Sequence, residues 1–155
     1  LKKTMIVMLS LLVISCGSKY KLQPNEEYTA LKSNEGYLGL VINTLDPLYA
    51  IQMLSVETDQ TFYIGSVKKG TSQITLQLPE GEYCFIGFDV YDLRIDYTDK
   101  GFCTYIEANE LNYFNEFLVR NPVTRSYPNY KKYVDLLRVD HPALCKKFVN
   151  SECSL

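Results

Sequence analysis

The stretch Thr71-Ser-Gln-Ile-Thr-Leu-Gln-Leu78 alternates without a break, with Ile74, Leu76 and Leu78 on one side and Gln73, Thr75 and Gln77 on the other. Such period-two alternation marks a strand with one buried face and one wet face. Similar runs fill the chain between Tyr37 and Val119: 37–42, 49–57, 61–67, 71–78, 83–91, 101–106 and 112–119. Between them stand turn residues: Asp46-Pro47, Asp59-Gln60, Lys68-Lys69-Gly70 and Pro79-Glu80-Gly81-Glu82. On the run 83–91, strict alternation puts Cys84, Ile86, Phe88 and Val90 on one face. Seven short strands separated by turns every 8–12 residues predict a mainly β domain over residues 36–120, a seven-stranded antiparallel β-sandwich. Only the segment 121–155 reads as helical, a short C-terminal tail packed on the domain. There Tyr130, Tyr133, Val134 and Leu137 keep helical spacing, Pro128 suits a first turn, and Asp140 is placed to cap a second short helix containing Pro142.

Ahead of the domain lie two lysines, Lys2 and Lys3, an apolar run from Met5 to Ile14 broken only by Ser10, and then Ser15-Cys16-Gly17-Ser18. The apolar run is about half the ~20 residues a membrane-spanning helix requires, so it reads as a secretory leader over residues 1–15. Val13-Ile14-Ser15-Cys16 resembles the bacterial lipobox. That resemblance implies cleavage before Cys16, a diacylglycerol on its thiol and an acyl chain on the new amine. At about 0.8 kcal/mol per buried CH₂, one acyl chain anchors marginally and two or more anchor stably. Gly17 in place of aspartate implies the outer membrane, on its periplasmic face rather than the cell surface. Residues 16–35 then read as the lipidated cysteine and a flexible tether, with an end-to-end distance of about 25 Å.

Without residues 1–15 the chain carries 14 basic and 18 acidic side chains, a formal charge of −4. No basic patch stands out, which argues against a nucleic-acid partner. Four cysteines follow Cys16: Cys84, Cys103, Cys145 and Cys153. An even number in an exported chain points to disulfides. With no C-x-x-C and one histidine, His141, a zinc site of the usual spacing is disfavoured. Three pairings are open. If runs 83–91 and 101–106 are antiparallel neighbours, Cys84 and Cys103 come opposite each other or join across the sandwich. Cys145 and Cys153, eight apart, then pin the C-terminus. Closing the larger loop contributes about 3 kcal/mol in the chain-entropy view. Free buried cysteines are the alternative.

The segments LPEGEYCF (78–85) and FCTYIEANELNYFNEF (102–117) resemble a family of small bacterial lipoproteins. Pro79, Gly81 and Tyr83 match its proline-glycine turn and tyrosine-bearing strand, and Glu110, Asn112 and Tyr113 match its later turn. Asn109 and Asn115 stand where that family often has glycine. The resemblance covers roughly 36–120 and implies a transthyretin-like or immunoglobulin-like sandwich. It implies no activity, cofactor or metal.

Asp89, Asp92, Asp96 and Asp99 cluster in one stretch, but their spacing lacks the alternate acids, central glycine and closing glutamate of a calcium loop. They read as acids on a solvated hairpin loop. His141, between Asp140 and Pro142, reads as a turn or cap residue. No nucleophile elbow, zinc-protease, S-x-x-K or P-loop pattern occurs. The thirteen tyrosines are the compositional oddity. Tyr83, Tyr91, Tyr105 and Tyr113 are candidates for a recognition surface, since tyrosine gives large contact area at low entropic cost. The sequence thus predicts a non-enzymatic outer-membrane lipoprotein, held by Cys16, that binds or supports another cell-envelope component, an envelope protein or a glycan. A glycan- or peptidoglycan-binding module is the first alternative, and a small hydrolase with a carboxylate pair is the second.

Overall fold

The computed structural model describes residues 21–23, 31–97 and 101–153. The expected leader, Cys16, most of the expected tether and Asp99 lie outside the described residues. Among the described residues nine strands form two sheets, so the fold is mainly β. The first sheet contains β1 (Glu35–Thr44), β4 (Gly70–Pro79), β8 (Leu111–Arg120) and β9 (Val123–Tyr127), in the order β4-β1-β8-β9. The second contains β2 (Ala50–Ser55), β3 (Gln60–Ile64), β5 (Gly81–Val90), β6 (Leu93–Asp96) and β7 (Phe102–Ile106). Its order is β3-β2-β5, with β6 and β7 sharing the remaining edge of β5. Pairing is antiparallel except between β1 and β8, which run parallel. Strands β6 and β9 exceed the seven predicted, and the parallel pair departs from the all-antiparallel expectation.

The sheets enclose one apolar core. Leu38, Leu40 and Ile42 of β1 and Ile74, Leu76 and Leu78 of β4 meet Ile51, Met53, Phe85, Phe88 and Val90 from the second sheet. Strand β5 reaches that core by breaking the alternation the sequence suggests. Gln52 pairs with Gly87 but Met53 pairs with Phe85, so Ile86 is one extra residue, a β-bulge. The bulge lets Phe85 and Phe88, three apart, both point inward, and it leaves Cys84 outside the inter-sheet cluster. The predicted shared face of Cys84, Ile86, Phe88 and Val90 is therefore corrected. Strand β8 does the same opposite Leu40, and Phe114 and Phe117 both enter the core. Phe117 meets Phe85 and Phe114 edge-on at 5.1 and 4.9 Å between centroids.

A helical layer covers the outer face of the first sheet. It consists of α1 (Tyr130–Asp140), α2 (Pro142–Phe148) and a short 3₁₀ turn (Asn150–Cys153). Tyr133, Val134 and Leu137 of α1 pack on Tyr37 and Val41 of β1, together with Leu144 and Cys145 of α2. Strand β1 is consequently buried on both faces, which explains its near-continuous apolar sequence. The face of β4 expected to be wet is covered too: Gln73 is 7% exposed and Thr75 is fully buried. Asn129 is the N-cap of α1, its side chain accepting from the Lys132 N–H, so Pro128 precedes the cap instead of opening the helix. Asp140 ends α1, and His141 occupies the N-cap position of α2 with Pro142 at N1. Among the described residues no helix is long and apolar enough to cross a membrane.

Candidate functional site

Four tyrosines were expected to share a surface, and the fold separates them. Tyr83 is 4% exposed, packed edge-on against Phe62 at 6.1 Å, and its hydroxyl donates to the Pro79 carbonyl at 3.0 Å. Tyr113 is half-buried under α1, its ring 5.4 Å from Tyr133 and its hydroxyl accepting from the Asn129 N–H at 3.0 Å. Partial desolvation and the carboxylates of Glu80 and Glu57 raise the phenol of Tyr105, which is exposed on β7 opposite Glu82. Tyr91 is exposed at the far end of β5, in the β5–β6 turn. Tyr83 and Tyr113 are structural.

A different set converges on the outer face of the second sheet. Beyond the bulge, Phe88 and Val90 turn inward, so Asp89 turns outward between Gln52 on β2 and Arg94 on β6. The Arg94 guanidinium donates twice to Asp89, Nε to Oδ1 at 3.0 Å and Nη2 to Oδ2 at 3.2 Å. Gln52 Nε2 donates to the same Oδ1 at 2.9 Å. The Arg94 hydrogen bond, helped by its charge and by Gln52, holds the Asp89 carboxyl below the usual carboxylate range against the effect of burial. Arg94 also lies over the Tyr63 ring, 5.4 Å from its centroid, a cation–π geometry. Tyr63 pairs in register with Gln52, so Tyr63, Gln52, Asp89 and Arg94 form a rank across four strands.

The rank runs on to the end of the sheet. Tyr91 Oη donates to Asp46 Oδ1 at 3.0 Å, and that bond raises its phenol. Tyr49, Tyr91 and Leu93 are each 56% exposed there. The acids read as solvated loop residues divide accordingly: Asp89 is built into β5, Asp92 turns the hairpin and Asp96 closes β6. Sequence reasoning missed Gln52, Tyr63 and Arg94. The signal was the register between β2, β5 and β6, and the bulge at Ile86 hides it.

Ionisable groups elsewhere hold the fold together. Glu116 is 5% exposed and takes hydrogen bonds from Lys132 Nζ and, at 2.7 Å, from Asn129 Nδ2. Both predicted disulfides are present, Cys84–Cys103 between facing residues of β5 and β7, and Cys145–Cys153 between α2 and the 3₁₀ turn. Glu82 lies within 4.8 Å of the first pair of sulfurs, but bridged sulfurs supply no thiolate for a metal. The cleft between β3 and β4, about 210 Å³, brings in Glu57 and Glu80. There the Glu57 carboxylate accepts the Glu82 N–H at 2.7 Å. In comparisons with known proteins, the chain matches no family model, no curated protein and no solved structure.

Proposed function

We propose that this chain is a bacterial outer-membrane lipoprotein without enzymatic activity, anchored by acyl chains on Cys16, whose β domain binds or supports another envelope component. The observation that carries the reading is the order Lys2-Lys3, apolar Met5–Ile14, Ser15-Cys16-Gly17-Ser18. Two disulfides support export to an oxidising compartment. Carboxylates such as Glu116 and Asp89, already engaged by Lys132, Asn129, Arg94 and Gln52, support a structural role over hydrolysis. In the same reading the two sheets form a transthyretin-like or immunoglobulin-like sandwich, supported by the single core they share. Tethering is the mechanism: confinement to a membrane surface raises the effective concentration of the domain for a partner on that surface. The partner-facing surface is Tyr63 and Arg94, positioned by Asp89 and the buried Gln52, with Tyr49 and Tyr91 beside them.

Expression in a Gram-negative host, followed by mass spectrometry of the intact product, tests the anchor. The expected species begins at Cys16 and carries the mass of a diacylglycerol and an N-acyl chain, and Cys16→Ala loses both the acylation and the membrane fraction. A bare thiol at position 16 in wild-type protein refutes the anchor. Glycan binding, the second reading, is favoured by one observation: Tyr63 is 46% exposed beside the guanidinium of Arg94. Retention on purified sacculi that Tyr63→Ala abolishes would replace a protein partner with a glycan one.

A further inference from the structure

The segment joining Cys16 to the domain is shorter than its polar composition suggests. Lys21 pairs with Leu76 in an antiparallel bridge on the outer edge of β4, and the Leu22 N–H donates to the Thr75 carbonyl at 2.9 Å. Leu22 also adds its side chain to the apolar cluster beneath the helices. Five peptide steps therefore separate Cys16 from a docked residue. At ~3.6 Å per step at most, they reach about 18 Å.

The docking has a direction and a side. Because the bridge is antiparallel, Lys21 is the end of the docked segment nearer Leu78 and Pro79 of β4, and Leu22 the end nearer Thr75. Strand β4 lies on the flank of the domain shared with β3, where Phe62 and Thr61 line one cleft with Leu78 and Pro79. The opposite flank is formed by the end of β6 and by β9, linked by Tyr97 Oη to Thr124 Oγ1 at 2.6 Å. Resting on Cys16 as the lipid anchor, we propose that the docked Lys21–Leu22 segment sets the posture of the domain on the bilayer. The corner at the β4–β5 turn faces the lipid headgroups, and the corner at the β5–β6 turn and β9 faces away. Tyr91, Leu93 and Arg94 stand on the outward side, available to a partner. The inward corner carries Glu57, Glu80 and Glu82, and its Lys32 is paired with Glu35, so attraction to anionic headgroups does not hold it there. The covalent leash does.

Energy transfer tests the posture. Full-length lipidated protein is placed in phosphatidylethanolamine–phosphatidylglycerol vesicles that contain a headgroup-labelled acceptor lipid. A donor dye is attached through Glu80→Cys or Asp92→Cys, at exposed turns on opposite ends of the ten-residue β5. Those ends are about 30 Å apart at ~3.3 Å per residue. Transfer is expected to be at least twofold more efficient from position 80. Leu22→Pro, which deletes the docking N–H, is expected to shrink the difference. An insertion of about twelve Gly/Ser residues after Ser18 is expected to do the same with the docked residues untouched. Equal transfer from both positions, or stronger transfer from 92, in protein that floats with the vesicles overturns the posture and leaves the anchor standing. Failure to float removes the anchor, and the posture with it. A difference that survives both the proline and the insertion overturns the docked segment as its cause.

Discussion

At the scale of single residues, the docking of the helical layer turns on one missing side chain. A Cβ on Gly39 would lie 2.1 Å from Cζ of Tyr133, a separation no real pair of carbons adopts. Glycine in mid-strand is ordinarily a weakness, and here it is the space a tyrosine ring occupies. That ring is fully buried, and its hydroxyl meets Thr75 Oγ1 at 2.9 Å. Thr75 donates to Gln73 Oε1 at 2.8 Å, and Gln73 Nε2 donates to Asp140 Oδ2 at 3.1 Å. The chain of bonds satisfies the polar face of β4 under the helix, as buried polar groups require. Burial drives the Tyr133 phenol far above its ordinary value, so it stays a neutral hydrogen-bonding group. Gly39→Ala is expected to cost about 1–3 kcal/mol in urea-induced unfolding, the range for overfilling a packed site. A loss below about 0.5 kcal/mol, the scale of an ordinary surface substitution, would show that Tyr133 moves aside freely and is no anchor.

Among elements, the sequence was legible where one rule governed and opaque where two competed. The alternation at 71–78 correctly turned Ile74, Leu76 and Leu78 to the core. It also suggested a wet face for Gln73 and Thr75, because nothing local says that Tyr133, 58 residues beyond Thr75, will cover it. The Cys84–Cys103 pairing was legible once the runs 83–91 and 101–106 were taken as antiparallel neighbours, whereas the face of Cys84 depended on a bulge that period counting cannot register. Strand β6 was hidden by its four-residue length and acidic neighbours, and β9 by its polar edge sequence after Pro122. The hold of α1 on β8 was invisible for the same long-range reason. Burial works to raise the Glu116 carboxyl, and the hydrogen bonds from Lys132 and Asn129 outweigh it, leaving that group below its ordinary value. A depressed carboxyl stabilises the fold above its unfolded-state value of about 4.3 and loses that contribution as pH falls through the folded value. The protection of α1 amides against hydrogen exchange, taken relative to their intrinsic rates, is therefore expected to fall as pH drops below that unfolded-state value, before the core strands respond. Glu116→Gln is expected to lower stability by about 1–3 kcal/mol at pH 7, less than for a fully buried pair since Lys132 is partly exposed, and to flatten this acid response. An unchanged acid profile in the glutamine variant would assign the response to another group.

Taken as a whole, the molecule is three layers with a staple in two of them. Cys84–Cys103 closes a separation of 19 residues and binds β7 to β5, so it belongs to the second sheet. Cys145–Cys153 closes only eight residues and belongs to the helical layer. Loop-closure entropy ranks them, at about 3 kcal/mol for the first and about 2.5 kcal/mol for the second. Their positions separate them further. Phe102 of β7, half-buried, packs against the core rings of Phe85 and Phe117, so releasing β7 uncovers the seam between the sheets. Releasing the C-terminal turn loosens α2, while α1 keeps its bonds to Glu116 and Thr75. Replacing Cys84 and Cys103 together by alanine is expected to lower the global unfolding temperature by roughly 10 °C, taking about 3–4 °C per kcal/mol for a chain of this size. Replacing Cys145 and Cys153 is expected to leave the core transition within a few degrees and to open the tail to protease after α1. Equal losses of cooperative stability from the two pairs would mean that helices and sheets unfold as one unit, and that the helical layer is as integral to the fold as either sheet.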